Sequence, residues 1–172
     1  MRIVEPPLQQ IEQDIVDLLA YKEVGALATL SDVDGWPSAS DMHIAADGLI
    51  VYLHTFTSAR KYEQMLRDPR VSYVVSHLPD AGYVERDGVQ SVQVKGHASL
   101  VDDPEEVELA VRVSREQFPW LADSRLYDHV DTPKRAFFRV RPIEALWSDH
   151  RVHVMWRKPL TFTPDGRHLT DE

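Results

Sequence analysis

The sequence predicts a mainly β fold (α+β): a six- or seven-stranded antiparallel barrel, closed or split, with flanking helices. Three observations predict it. Short β-prone runs recur between Val24 and Trp156, joined by tight-turn pairs such as Asp34-Gly35, Asp47-Gly48 and Asp87-Gly88. Few helical stretches separate these runs, so the order is that of a meander and not of βαβ units. The long run Val89–Val101 alternates at Val92, Val94 and Leu100 and carries Gly96 inside it, as strands do where they bend at a barrel corner.

Taken in order, Leu8, Ile11, Ile15, Leu18 and Leu19 recur at helical spacing after Pro6-Pro7, which predicts an amphipathic helix over Leu8–Lys22. Val24–Leu30 reads as a buried strand and Ser31–Gly35 as its turn. Pro37–Ala45 and Leu49–His54 read as two further strands. The stretch His54–Val71 then collects a strand end, the hydroxyls of Thr55, Thr57 and Ser58, the adjacent cations Arg60 and Lys61, and a helix carrying Tyr62, Met65 and Leu66. Asp68-Pro69 stops that helix and Val71–Ser76 returns to strand. Asp103-Pro104-Glu105-Glu106 opens a helix with proline and acids in its first turn, and Pro119 ends it after Phe118. Trp120–Pro133 reads as short helix and loop. Ala136–Val140 is a strand limited by Pro142, Ile143–Trp147 and Val152–Trp156 form a last pair, and the polar tail from Pro159 is expected to be only partly ordered. Residues 1–172 read as one domain.

Composition narrows the function classes. The chain is 43% hydrophobic and 27% charged, which suits a globular core. A formal charge of −9 speaks against sequence-independent binding to nucleic acid or to an anionic membrane, although a local basic pocket remains compatible with it. The absence of cysteine excludes disulfides, a thiol nucleophile and Cys-ligated metal sites. The N-terminus lacks a signal-peptide apolar core and no apolar run is long enough to span a bilayer, so a cytoplasmic location is expected. Neither a GxGxxG fingerprint nor a P-loop is present. His150 and His153 are too few for a metal centre, and turn or helix-dipole chemistry accounts for Asp32 with Asp34 and for Glu105 with Glu106.

The densest chemistry lies at the start of the second helix. Free N–H groups and the positive dipole end favour an anion there. Arg60 can grip phosphate oxygens with two donors, while Lys61 adds a compact charge. The same residues also suit an ordinary capped helix with two solvated cations.

In their order along the chain, the paired hairpins VGALATLSDVDGWPSASDMHIAADGLIVYLHT, the helix start TFTSARKYEQMLRDPRVSYVV, the bent strand SVQVKGHASLVDD and the closing RVRPIEALWSD resemble the FMN-binding split β-barrel proteins typified by pyridoxamine 5'-phosphate oxidase. The resemblance spans about Val24 to Trp156. It implies a homodimer with FMN between the subunits, the phosphate held by Thr55, Arg60 and Lys61 with Ser58 as a helper. It also places Gln90 or Gln93 beside the ring, Trp147 packed by the cofactor, and Arg151 and His153 at the substrate. His43 is the only candidate cation on the strand Ser38–Ile44, where the oxidase itself has basic residues. Met155 replaces a further FMN-contacting arginine. Pyridoxamine phosphate oxidation is therefore not carried over, and no catalytic residue is assigned. The implied function is a flavin-dependent oxidoreductase acting on an unidentified small molecule, with a nicotinamide as possible electron donor. Alternatives are a reductase using the deazaflavin coenzyme F-420 and a non-catalytic flavin or tetrapyrrole carrier.

Overall fold

A computed structural model describes residues 4–31, 33–121 and 134–171. Among these described residues, three α-helices and eight strands follow in the order α1 (Leu8–Tyr21), β1 (Val24–Leu30), β2 (Pro37–Asp47), β3 (Ile50–Phe56), α2 (Arg60–Arg67), β4 (Arg70–His77), β5 (Gln90–Leu100), α3 (Pro104–Gln117), β6 (Arg135–Asp149), β7 (Arg157–Phe162) and β8 (Leu169–Thr170). All pairings are antiparallel. The sheet order is β3-β2-β1-β4-β5-β6-β7-β8, and β3 also pairs with β6. That extra pairing closes six strands into a barrel and leaves β7 and β8 as an extension beside β6.

Alternation along the strands fills the barrel. Leu27, Ile44, Val51, Leu53, Tyr73, Val75, Val92 and Val94 point inward, where Ile11, Ile15, Leu18 and Leu19 of α1 join them. α1 leads directly into β1 and so covers the end of the barrel at which β1 begins, while Met65 of α2 enters the core from the other end. A second apolar cluster lies outside the barrel. Ala110, Val113 and Phe118 cover Ala45, Ile50, Tyr52 and Phe137, which places α3 over β2, β3 and β6. Asp103 caps α3 through the N–H groups of Glu105 and Glu106. Among the described residues no helix is long and apolar enough to cross a membrane.

The structure corrects three sequence expectations. Pro142 does not end a strand, because β6 runs through it for 15 residues. Its register shifts there: Lys95 faces Glu144 and Gly96 faces Pro142, so Ile143 is an extra residue. A bulge is where a strand tolerates a proline that has no N–H to donate. Gly96 is required at the same place, since a Cβ on it would lie 2.5 Å from the Arg141 carbonyl oxygen. Val152–Trp156 is a turn rather than a strand, despite its alternation. β7 pairs back on residues 144–148 of β6, so the chain has to reverse between Asp149 and Arg157, and Met155 adopts φ +68° within that reversal. The tail from Pro159 is ordered, with Phe162 facing Leu169 and Thr161 facing Thr170. Glu12 accepts the Leu169 N–H at 2.7 Å and fastens this hairpin to α1. Of the expected short helix and loop over Trp120–Pro133, the described part is a 3-10 turn at Pro119–Leu121. Residues 122–133, and Asp32 in the first turn, lie outside the described residues.

Candidate functional site

Strands β2 and β3 pair from Ile44↔Leu53 to Asp47↔Ile50 and then separate. β2 continues along β1 as far as Pro37↔Leu30, while β3 continues along β6 as far as Phe56↔Arg135. The barrel is thus split at this end, and α2 fills the opening. Gln64 and Met65 are its buried residues, and Gln64 bonds to side chains of both β1 and β2. No side-chain hydrogen bond caps the start of α2; the Tyr62 N–H bonds to the Ala59 carbonyl oxygen at 3.0 Å, which leaves the N–H groups of Arg60 and Lys61 to meet an anion.

Arg60 and Lys61 lie on different flanks of this helix start. Arg60 is exposed and opens into a groove of about 480 Å³ lined with Ser31, Asp34, Ser38, Ser58 and Glu63. Its charge helps to hold the Asp34 carboxyl below its ordinary range, after the hydrogen bonds from Ser31 and Trp36. Lys61 reaches along β2, where its Nζ donates to Met42 Sδ at 2.9 Å. A thioether is a weak acceptor for an ammonium. Burial pushes the Lys61 amine below its ordinary pKa, and the neighbouring Asp41 carboxylate only partly opposes this. Thr55 is buried near the end of β3, with its hydroxyl 3.5 Å from the Phe56 carbonyl oxygen, at the limit of a hydrogen bond. Ser58 is exposed in the turn between β3 and α2.

Outside the barrel, the same strands carry an aromatic shelf. His43, on β2, lies 5.5 Å from the Phe118 ring and 5.6 Å from the Trp120 ring. His54, which sequence reasoning passed over as a mere strand end, lies 5.1 Å from the Phe137 ring and 6.3 Å from that of Phe56, and the Arg135 guanidinium sits 5.0 Å above the Phe56 ring. Burial, then the charges of Arg135 and His43, lowers the His54 pKa to about 4, so the imidazole is neutral at pH 7. The available signal was parity: His54 alternates with Ile50 and Tyr52 on the face opposite Val51 and Leu53.

The remaining predicted residues are not brought to this end. β6 runs from Arg135, beside Phe56, to Asp149, opposite Gln90, which is about 45 Å of strand at the usual rise. Gln90 and the turn holding Arg151 and His153 therefore lie at the far end of β6. Gln93 is exposed on β5, in a groove of about 460 Å³ with Ser72, Lys95, Glu144 and Leu146. Arg151 grips the buried Asp149 with Nε and Nη2 (2.9 and 2.6 Å) and reaches Asp14 of α1 at 3.1 Å, so it clamps the turn to α1. Those carboxylates raise its already high pKa. The His153 ring nitrogen Nδ1 lies 2.7 Å from the Val154 carbonyl oxygen. Trp147 requires a correction: it is 0% exposed and belongs to the barrel core, so within this chain its ring is closed off from the surface where a cofactor would lie. Its position on β6 shares inward parity with Ala145, a distinction a local motif match does not see.

Comparison with known proteins adds a family. The family model described as pyridoxamine 5'-phosphate oxidase matches residues 11–147, most of the chain. General stress protein 26 of Bacillus subtilis (strain 168) is 32% identical over 98 residues, 56% of this chain and 64% of that protein. A heme-binding protein from Mycobacterium smegmatis superposes with a TM-score of 0.72 at 19% identity, covering 92% of this chain and 60% of the other. An FAD-binding protein from Mesorhizobium loti gives 0.58 at 22% identity, covering 77% and 90%. The chain thus spans less than two thirds of the length of the Bacillus protein and of the Mycobacterium protein, and the two structural likenesses speak for the fold alone. Together with the split barrel and its α2 end, the match over residues 11–147 shows that this chain belongs to the pyridoxamine 5'-phosphate oxidase family.

Proposed function

We propose that the protein is a cytoplasmic flavin-dependent oxidoreductase that binds FMN as a homodimer and exchanges hydride with a small molecule. The observation that carries this reading is the Lys61 ammonium, half-buried at an uncapped helix start with a thioether as its hydrogen-bond partner. A phosphate dianion would give that ammonium the acceptor it lacks. The donor set fits such a group: Lys61 on one flank of the helix start, Arg60 and Ser58 on the other, with Thr55 near the end of the preceding strand. FMN supplies the hydride chemistry when bound. The chain's own residues bind and orient it. Half-buried His54 and exposed Phe56, with Arg135 over the Phe56 ring, offer an aromatic edge for a planar ring, and Asp41 limits the positive charge near Lys61.

The division of the predicted residues between the two ends of β6 supports a dimer, because a second copy is needed to bring Gln90 or His153 near the α2 end. The outer sheet face also suits a second copy. Ala26, Ala28, Ser72, Val74, Ser91 and Gln93 are small or uncharged and stand exposed or half-exposed on β1, β4 and β5. Exposed Lys95, beside Ser72, and Asp41, beside Ala26, border this stripe, so a second copy would meet small uncharged side chains rimmed by charge, the pattern of an interface with a polar edge.

A second reading, a tetrapyrrole carrier, is favoured by one feature: exposed His43, an imidazole beside Phe118 and Trp120. The absorption spectrum of the purified protein, followed by acid release and mass analysis of any chromophore, separates the readings. A flavin spectrum with released FMN supports the first, and reduction by a nicotinamide followed by turnover makes it an enzyme. A porphyrin Soret band supports the second. Uptake of the deazaflavin in place of FMN keeps the cradle and changes the cofactor.

A further inference from the structure

We propose that Gln64 is a positioning residue: its buried amide fixes the pose of α2 and so aims Arg60 and Lys61 at the anion they hold. The anion's identity rests on the FMN reading above, whereas the role of Gln64 in placing Lys61 does not.

Gln64 is 8% exposed, an unusual burial for a residue of its type. Both ends of its amide are engaged. The buried Thr29 hydroxyl donates to Gln64 Oε1 at 2.6 Å, and Gln64 Nε2 donates to Ser38 Oγ at 3.2 Å. Thr29 and Ser38 are register partners across β1 and β2, so a single amide ties α2 to one rung of the first hairpin. α2 has eight residues and no side-chain N-cap; Met65 is its one buried apolar residue, and Tyr62 packs edge-on against Phe138 at 5.7 Å. These apolar contacts hold the helix against the barrel, while the buried amide bonds, being directional, fix its rotation.

The placement of Gln64 makes this anchor functional. Arg60 and Lys61 precede it by four and three residues, so Gln64 sits one turn on, between the two flanks from which they project. Gln64 also lines the groove into which Arg60 and Ser58 open. Rotating α2 about this amide would withdraw Lys61 from Met42 and move Arg60 in its groove, with the barrel left intact.

The test uses the full-length protein with Gln64→Leu and Thr29→Val, each checked for native near-UV circular dichroism. Without ligand, the pH titration of the Lys61 ε-methylene is followed by NMR on ¹³C-lysine-labelled protein, assigned with Lys61→Met. The wild type is expected to titrate below an ordinary lysine, and both variants to return toward the ordinary value as the amine leaves Met42. With FMN as ligand, Gln64→Leu is expected to weaken binding roughly tenfold, and to add no further loss in an Arg60→Ala/Lys61→Ala background. An unchanged Lys61 titration in the folded variants, or an equal loss of FMN affinity in both backgrounds, would overturn the proposal. If Gln64→Leu fails to fold, Thr29→Val carries the same two readouts with one hydroxyl removed at nearly constant shape. If the wild type takes up no FMN, the cofactor reading fails while the Lys61 titration still decides the role of Gln64.

Discussion

Lys61→Met is the sharpest perturbation of the proposed cradle. The substitution removes the ammonium and keeps a flexible apolar side chain against Met42 at the barrel end, so the fold should survive. A hydrogen bond to a charged group contributes about 1.5–3 kcal/mol. At 1.4 kcal/mol per tenfold, its loss should weaken FMN binding by roughly 10- to 100-fold. The half-buried position makes the effect less sensitive to salt than a surface pair would be. Fluorescence quenching of FMN on titration measures it directly. The pH dependence supplies a second signature. Burial lowers the Lys61 pKa, so wild-type affinity should start to fall on the alkaline side at a pH below that of an ordinary lysine, and Lys61→Met should abolish that limb. In the ligand-free protein the unfolded chain binds more protons between the lowered pKa and the ordinary value, so stability should rise with pH across that interval. An FMN affinity within twofold of wild type, with the alkaline limb intact, would refute the assignment of Lys61.

Other consequences follow from the same geometry. His54 has a folded pKa of about 4 against 6.5 unfolded, so the unfolded chain takes up the proton first and stability should fall as pH drops from about 6.5 to 4. The full shift is on the order of 3 kcal/mol, an upper bound for a ring that is partly exposed, and His54→Phe should flatten this acid limb in denaturant melts. Trp147→Phe should cost on the order of 2 kcal/mol through the space it leaves in the core, with FMN affinity unchanged in the folded protein; the opposite pattern would return Trp147 to the cofactor. Arg151→Ala strips the buried Asp149 of its guanidinium and should lower stability by about 3 kcal/mol, read as the midpoint of chemical unfolding.

Much of the fold could be read from the sequence because its signals are local. The apolar spacing of Leu8–Leu19 marks α1, Asp47-Gly48 marks the turn between β2 and β3, Asp103-Pro104 marks the start of α3, and Gly96 marks the bend in β5. What escaped depends on tertiary register. Pro142 reads as a strand end until the bulge opposite Gly96 is known. Val152–Trp156 alternates like a strand although β7 pairs with β6 only from Arg157. The tail is polar, yet its β7–β8 hairpin is held by Glu12, more than 150 residues away in sequence. The site divides in the same way. Thr55, Ser58, Arg60 and Lys61 announce themselves as one dense stretch, whereas His54 and Gln64 gain their meaning only from partners on other strands. Trp147 illustrates the converse, a residue whose motif position was visible and whose inward direction was not.

The central claim is that the α2 end of the split barrel holds a phosphate-bearing flavin. Its most direct test is a calorimetric titration of the wild-type protein with FMN and, in parallel, with riboflavin, which shares the ring system and lacks the phosphate. Two charge-assisted contacts at about 1.5 kcal/mol each predict FMN binding roughly 100-fold tighter than riboflavin, with the difference lost in Arg60→Ala/Lys61→Ala. Equal affinity for the two flavins, or a preference for FMN that survives the double substitution, would contradict the account.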